Sequence, residues 1–165
     1  MENTDFASVW ARVIGASAAD EGVCRREPEP ASLSAAKALC SLAGGEKQSV
    51  MTLRALLRFS LPSERGALCS IISDDASHFG RLCAEYCVLT GDCRAKCCGS
   101  APPNCESFCA YLRSLYLQKC KTAEAYRDAA GKYGAQSELF LSFAEAEAAH
   151  AKTLLCLLSR RMARI

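Results

Sequence analysis

Two stretches decide the fold: Ile72-Ser-Asp-Asp-Ala-Ser-His-Phe-Gly-Arg-Leu82 and Phe143-Ala-Glu-Ala-Glu-Ala-Ala-His-Ala-Lys152. Each holds a carboxylate three residues before a histidine, Asp75 with His78 and Glu147 with His150, and the chain has no other histidine. Residues three apart share a helix face, so each pair aims an oxygen and a nitrogen the same way. The surrounding apolar spacing is also helical: adding 72 to the stripe Leu68, Ile71, Asp75, His78, Leu82 gives Phe140, Phe143, Glu147, His150, Leu154.

The helix preceding each stretch repeats as well. Adding 73 to Leu39, Leu42, Glu46, Ser49, Leu53 gives Leu112, Leu115, Lys119, Thr122, Tyr126. A repeat of this length, two helices per unit, predicts an all-α fold of two similar hairpins packed as an antiparallel four-helix bundle. Composition agrees, since Ala and Leu abound and only five prolines interrupt the 165 residues. One domain of this size buries its own core.

Boundaries follow from capping and breaking residues. Helix 1 runs from about Leu39 to before Pro62, with a kink or late start at Gly44 and Gly45. Helix 2 starts at a Ser63 cap and stops at Gly91. Helix 3 follows Pro102, Pro103 and the cap Asn104 and is closed by Gly131 and Gly134; helix 4 starts near Ser137 and places Arg160, Arg161 and Arg164 at its C-terminal dipole. Residues 1–30 read as a short helix around Phe6, Val9, Trp10 and Val13 followed by a tether, and residues 31–165 as the bundle.

For the two carboxylate-histidine pairs to meet across a twofold axis, helices 2 and 4 must be antiparallel, which makes helices 2 and 3 parallel. Residues 91–104 are then a long crossover. Fourteen residues reach roughly 46 Å, against about 42 Å for a 28-residue helix.

A carboxylate on each of two helices and a carboxylate-x-x-His on each of the other two is the ligand arrangement of di-iron and di-manganese bundles. The stretch Ile72–Leu82, running on to Tyr86 and Leu89-Thr-Gly91, resembles the second helix of the rubrerythrin-like members of the ferritin-like family, and Phe143–Lys152 resembles the last, the resemblance covering roughly residues 33–160. The resemblance implies a ferritin-like bundle and a metal site built from Glu46, Asp75, His78, Glu147 and His150, holding one or two ions of iron, or of manganese or zinc. It departs from the family where Lys119 replaces a carboxylate, Asp75 replaces Glu and Leu53 replaces Tyr. Glu124 cannot take the place of Lys119, because five residues turn a helix by about 140°.

Three readings of the cluster stand open: a metal-free relic held by ion pairs, a single-metal or weakened di-metal site, and a competent di-iron oxidase or peroxidase. The implied function is iron or peroxide handling connected with oxidative stress, and the alternative is a non-catalytic helical scaffold or oligomerisation module. Whether the chain is an enzyme stays open. Family members that reduce peroxide commonly draw electrons through a rubredoxin domain, and its C-x-x-C pairs are absent here, so turnover would need an external electron donor.

The other expected partner is a second copy in a homodimer. With 20 basic against 18 acidic side chains, a net charge of +2, no nucleic-acid footprint is expected. Arg12 breaks the only apolar run near the start, so no signal peptide or membrane anchor is expected and the chain reads as cytoplasmic. The twelve cysteines are then expected to be thiols. Seven lie between Cys83 and Cys109, and the i, i+4 pairs Cys83/Cys87 and Cys105/Cys109 could form a competing thiolate metal site with Cys93, Cys97 and Cys98. A crossover puts those pairs at opposite ends of the bundle, which favours reading the cysteines as small apolar fillers.

Overall fold

The computed structural model describes residues 30–92 and 107–164. Four helices make up the described chain: α1 (Pro30–Leu56), α2 (Pro62–Thr90), α3 (Phe108–Lys132) and α4 (Ser137–Met162). A 3₁₀ turn, Leu57–Phe59, links α1 to α2, and another, Gly134–Gln136, links α3 to α4. No strand occurs among the described residues. None of these helices is long and apolar enough to cross a membrane.

Local chemistry accounts for the ends, with several shifts from expectation. The helix α1 begins at Pro30 and passes through Gly44 and Gly45 unbroken. Propensity alone disfavours that, so burial of Leu39, Ala43, Leu53 and Leu56 carries the helix through. Leu61, not Ser63, precedes the first turn of α2: Pro62 sits where its missing N–H costs nothing, and the Leu61 N–H donates to Glu64 Oε2 at 2.8 Å. Gly91 ends α2 at φ +70°, a conformation that favours glycine, with its N–H on the Cys87 carbonyl. Ser107 caps α3, its Oγ accepting from Ala110 N–H at 3.2 Å. Gly131 lies inside α3, and Tyr133 follows its last residue. The expected cap Asn104, the crossover and the short N-terminal helix lie outside the described residues.

Contacts along the helices set their directions. Ser34 of α1 bonds Tyr133 beside the end of α3, and Glu46 bonds Tyr126 further in, so α1 and α3 are antiparallel. Glu64 near the start of α2 pairs with Arg161 near the end of α4, and Asp74 meets His150, so α2 and α4 are antiparallel too. With α1–α2 and α3–α4 as hairpins, α2 and α3 run parallel, as the twofold argument requires.

Two apolar clusters fill the ends of the bundle. One gathers Leu39, Ala43, Leu82, Tyr126, Phe140 and Phe143; the other gathers Leu53, Leu56, Leu68, Leu112, Leu115 and Leu154. Cys83 packs on the first and Cys109 on the second, so these two thiols cannot share a metal. Cys87 is disulfide-bonded, which corrects the expectation that every cysteine is a free thiol. Between the apolar clusters lies a layer of buried charge.

Candidate metal centre

All four helices supply that layer: Glu46 from α1, Asp75 and His78 from α2, Lys119 and Tyr126 from α3, Glu147 and His150 from α4. Each occupies the inward stripe of its helix, and none is more than 8 % exposed. Glu124 is on the exposed face of α3. Burying this many ionisable groups is tolerable only if they satisfy one another.

Lys119 sits at the centre. Its Nζ donates to Asp75 Oδ2 at 2.7 Å and to Glu147 Oε1 at 2.9 Å, and lies 3.8 Å from Glu46 Oε2. Burial opposes its charge, but the carboxylates of Asp75, Glu147 and Glu46 prevail and hold its pKa above the ordinary lysine value. His150 completes this half of the site. Its Nδ1 lies 3.2 Å from Glu147 Oε1 and 3.3 Å from Asp75 Oδ1, and its Nε2 meets Asp74 Oδ2 at 3.1 Å. Burial again opposes the charge, yet the bonds to Asp75 and Glu147 push His150 up to about 10. His150 is therefore an imidazolium at neutral pH, donating from both nitrogens.

The other half is differently furnished. Tyr126 donates its hydroxyl to Glu46 Oε1 at 2.6 Å, and burial followed by the Glu46 charge pushes its phenol well up, so it remains a donor. The His78 ring packs on Phe143 with centroids 4.1 Å apart and lies 6.2 Å from the His150 ring. Its Nδ1 stands 3.6 Å from Glu46 Oε1 and 3.8 Å from Glu147 Oε1, too far for a hydrogen bond. Four buried atoms of the cluster have no hydrogen bond: Glu46 Oε2, Asp75 Oδ1, His78 Nδ1 and Glu147 Oε2. Buried polar atoms left this way are costly and call for an explanation.

The carboxylates report the same imbalance. Burial raises the Asp75 carboxyl, but the His150 bond and the Lys119 ammonium outweigh it and hold Asp75 below its ordinary value. Glu147 goes the other way: burial, reinforced by the charges of Glu46 and Asp75, outweighs the bonds from His150 and Lys119 and pushes its carboxyl up. Three carboxylates are thus served by two fixed cations, Lys119 and His150, each of which contacts both Asp75 and Glu147. One donor atom from each of Glu46, Asp75, His78 and Glu147 falls within 4.8 Å of the others. A divalent ion with ligand distances of about 2.1 Å places opposite donors about 4.2 Å apart, so this set fits one ion after a small contraction.

Two contacts carried no sequence signal. Asp74, half exposed, reaches His150 from a different helix, and Arg81 lies over the Phe143 ring at 5.3 Å from its centroid. Tyr126, on an inward stripe that otherwise reads as packing, is hydrogen-bonded into the site. Fold and site together define a class, a four-helix bundle with a buried carboxylate-histidine cluster. Comparison with protein-family models, with curated proteins and with solved structures finds no match.

Proposed function

We propose that this chain is a metal-binding protein of the ferritin-like, rubrerythrin-like kind that holds one divalent cation, with Lys119 and His150 filling the place of a second. Glu46, His78 and Glu147 would bind the ion, with Asp75 at its edge. The observation that carries this reading is the set of four buried atoms without hydrogen bonds, Glu46 Oε2, Asp75 Oδ1, His78 Nδ1 and Glu147 Oε2, one from each residue of the group whose donor atoms lie within 4.8 Å of one another. Carboxylate and imidazole donors without thiolate suit iron(II), manganese(II) or zinc. The physiological role would be iron or peroxide handling, with electrons from an external donor in any redox turnover.

A second reading has its own support. The 2.7 and 2.9 Å contacts of Lys119 Nζ show that an internal cation can satisfy much of the site, so a metal-free scaffold is the alternative. Metal content separates the two. After anaerobic loading and desalting, elemental analysis should give about one ion per chain in the wild type and none in His78→Ala. Lys119→Glu should raise the content toward two, since a buried ammonium repels a nearby dication far more than in water. Wild-type protein that retains no metal, with no gain in Lys119→Glu, would leave the scaffold reading in its place.

A further inference from the structure

The net charge of +2 conceals an uneven distribution along the bundle. At the end where α1 and α4 finish and α2 and α3 begin, residues 54–66, 107–114 and 154–164 hold seven arginines, no lysine and one carboxylate, Glu64. The other described segments hold eight basic and ten acidic side chains, and most of those basic ones are lysine. Arg161 is spent on Glu64, at 2.6 and 2.9 Å. The remaining six, Arg54, Arg58, Arg65, Arg113, Arg160 and Arg164, are exposed, and none forms an ion pair with a described carboxylate. The helix dipole accounts for cations at the ends of α1 and α4, but not for Arg65 and Arg113, in the first two turns of α2 and α3, where it favours anions. Two large apolar side chains stand among these charges, Phe59 at 63 % and Met162 at 59 % exposure. Phe59 is held there: Arg161 Nη2 donates to its carbonyl at 3.2 Å, and the same guanidinium lies 4.3 Å from the centroid of the Phe108 ring. Beside Met162 lies a hollow of about 580 Å³ lined also by Arg113, Leu117 and Leu158.

We propose that this end of the bundle is a docking surface for an anionic membrane, with the exposed arginines on lipid phosphates and Phe59 and Met162 inserted between the headgroups. Charge complementarity is the first argument: the planar guanidinium matches a phosphate bidentately, which an ammonium does not, and this end uses arginine alone. Distribution is the second. The six arginines come from α1, the turn after it, α2, α3 and α4 and its C-terminal turn, so they meet a surface spread across the bundle end, not a single small anion. The third is the apolar tips. Basic side chains around exposed apolar ones are the chemistry of proteins that lie at a membrane interface, and none of the described helices is long and apolar enough to cross one. A nucleic acid would meet the same charge. Stacking of bases needs exposed aromatic faces, however, and Phe59 is the one exposed aromatic among the described residues of this end, which also hold no asparagine or glutamine to read base edges. The surface is separate from the metal centre, because the cluster of Leu53, Leu56, Leu68, Leu112 and Leu115 lies between them.

Co-sedimentation of the full chain with vesicles tests this, with chelator present so that no metal bridges protein and lipid. The chain should bind vesicles of phosphatidylcholine mixed with phosphatidylserine and not vesicles of phosphatidylcholine alone, and binding should weaken as salt rises. Arg58→Gln in the α1–α2 turn and Arg113→Gln on α3 should each weaken it about fivefold, and the two together about 25-fold. Phe59→Ser leaves the charge unchanged and should weaken binding severalfold at every salt concentration; Met162→Ser serves if circular dichroism shows the first variant misfolded. Lys132→Gln removes an exposed charge from the opposite end of the bundle and should bind as wild type does. Equal binding to both kinds of vesicle, or binding to neither, overturns the proposal. A loss in Lys132→Gln as large as in Arg58→Gln overturns it too, because binding would then follow net charge and not this end. No loss in either Phe59→Ser or Met162→Ser removes the insertion and with it the membrane assignment. Tighter binding to a single-stranded oligonucleotide than to the mixed vesicles at equal phosphate concentration, lost in the same arginine variants, would give the surface to nucleic acid instead.

Discussion

Replacing Lys119 by alanine should damage the metal-free protein far more than a single side chain usually does, and metal should repair much of the damage. The ammonium is 1 % exposed and donates at 2.7 and 2.9 Å to Asp75 and Glu147. Removing it leaves three buried carboxylates facing one remaining fixed cation, His150. Breaking a buried charge pair from one side costs about 3–5 kcal/mol, out of a total that for domains is commonly about 5–15 kcal/mol. For a bundle of this length the midpoint should fall on the order of 10 °C. A divalent ion at a hundred times its dissociation constant should return about 2.7 kcal/mol. The assay is urea and thermal unfolding of wild type and Lys119→Ala, each with chelator and with excess manganese or zinc. Metal should stabilise the variant more than the wild type, because the variant offers an ion the oxygens that Lys119 occupies. A loss under about 1 kcal/mol, the range of exposed pairs, would refute the claim that Lys119 is the internal cation of the site. Equal stabilisation of both proteins by metal would refute the competition between ammonium and ion.

Other expectations are more local. Tyr126→Phe deletes the donor 2.6 Å from Glu46 Oε1 and should cost about 1–3 kcal/mol in urea unfolding, the penalty of leaving a buried acceptor unmet. Arg161 grips Glu64 at 2.6 and 2.9 Å, and this bond, against opposing burial, holds Glu64 below its ordinary pKa. A depressed folded pKa gives stability that is present above the unfolded value, near 4.3, and is lost as pH falls through the folded value. The acid limb of wild-type stability should therefore flatten in Arg161→Ala. His150, raised to about 10, should hold its protonated NMR shift through neutral pH and titrate near that value, with its share of stability complete below about 6.5 and lost as pH rises toward about 10. A His150 transition between pH 6 and 7 would break the assignment of the imidazolium.

Much of this was readable because it rests on period. The spacing of three and four residues placed Glu46, Asp75, His78, Lys119, Glu147 and His150 on inward stripes, and the offsets of 72 and 73 made those stripes equivalent. Parallel α2 and α3 followed from requiring equivalent residues to meet. Ends were harder: Leu61 and Ser107 flank helices for reasons of local hydrogen bonding that Ser63 and Asn104 offered equally well on paper. Long-range partners were hardest, since nothing in the surroundings of Asp74 indicates that its carboxylate meets His150 from another helix. The disulfide at Cys87 was hidden for the same reason, because cysteine spacing constrains pairing only when the path of the chain is known.

Symmetry explains why two departures from the repeat occur together. Under the offset of 73, Tyr126 corresponds to Leu53 and Glu46 to Lys119, so the Tyr126–Glu46 bond has Leu53 and Lys119 as its mirror image. A tyrosine at position 53 would need an acceptor at 119. Lysine offers none, and its own protons are already spent on Asp75 and Glu147. A hydroxyl there would be buried without a partner at a cost of about 1–3 kcal/mol, whereas leucine packs with Leu56, Leu112 and Leu115 and asks for nothing. The same asymmetry runs through the histidines: Asp74 braces His150, while its equivalent in the repeat, Ala146, offers His78 no carboxylate. Each substitution places fixed positive charge or its support beside Asp75 and Glu147 and leaves Glu46 and His78 without an ion-pair partner at hydrogen-bond distance. The two halves of the repeat are thus unequal, one carrying its own cations and the other, on the proposed reading, offering donors to an ion from outside.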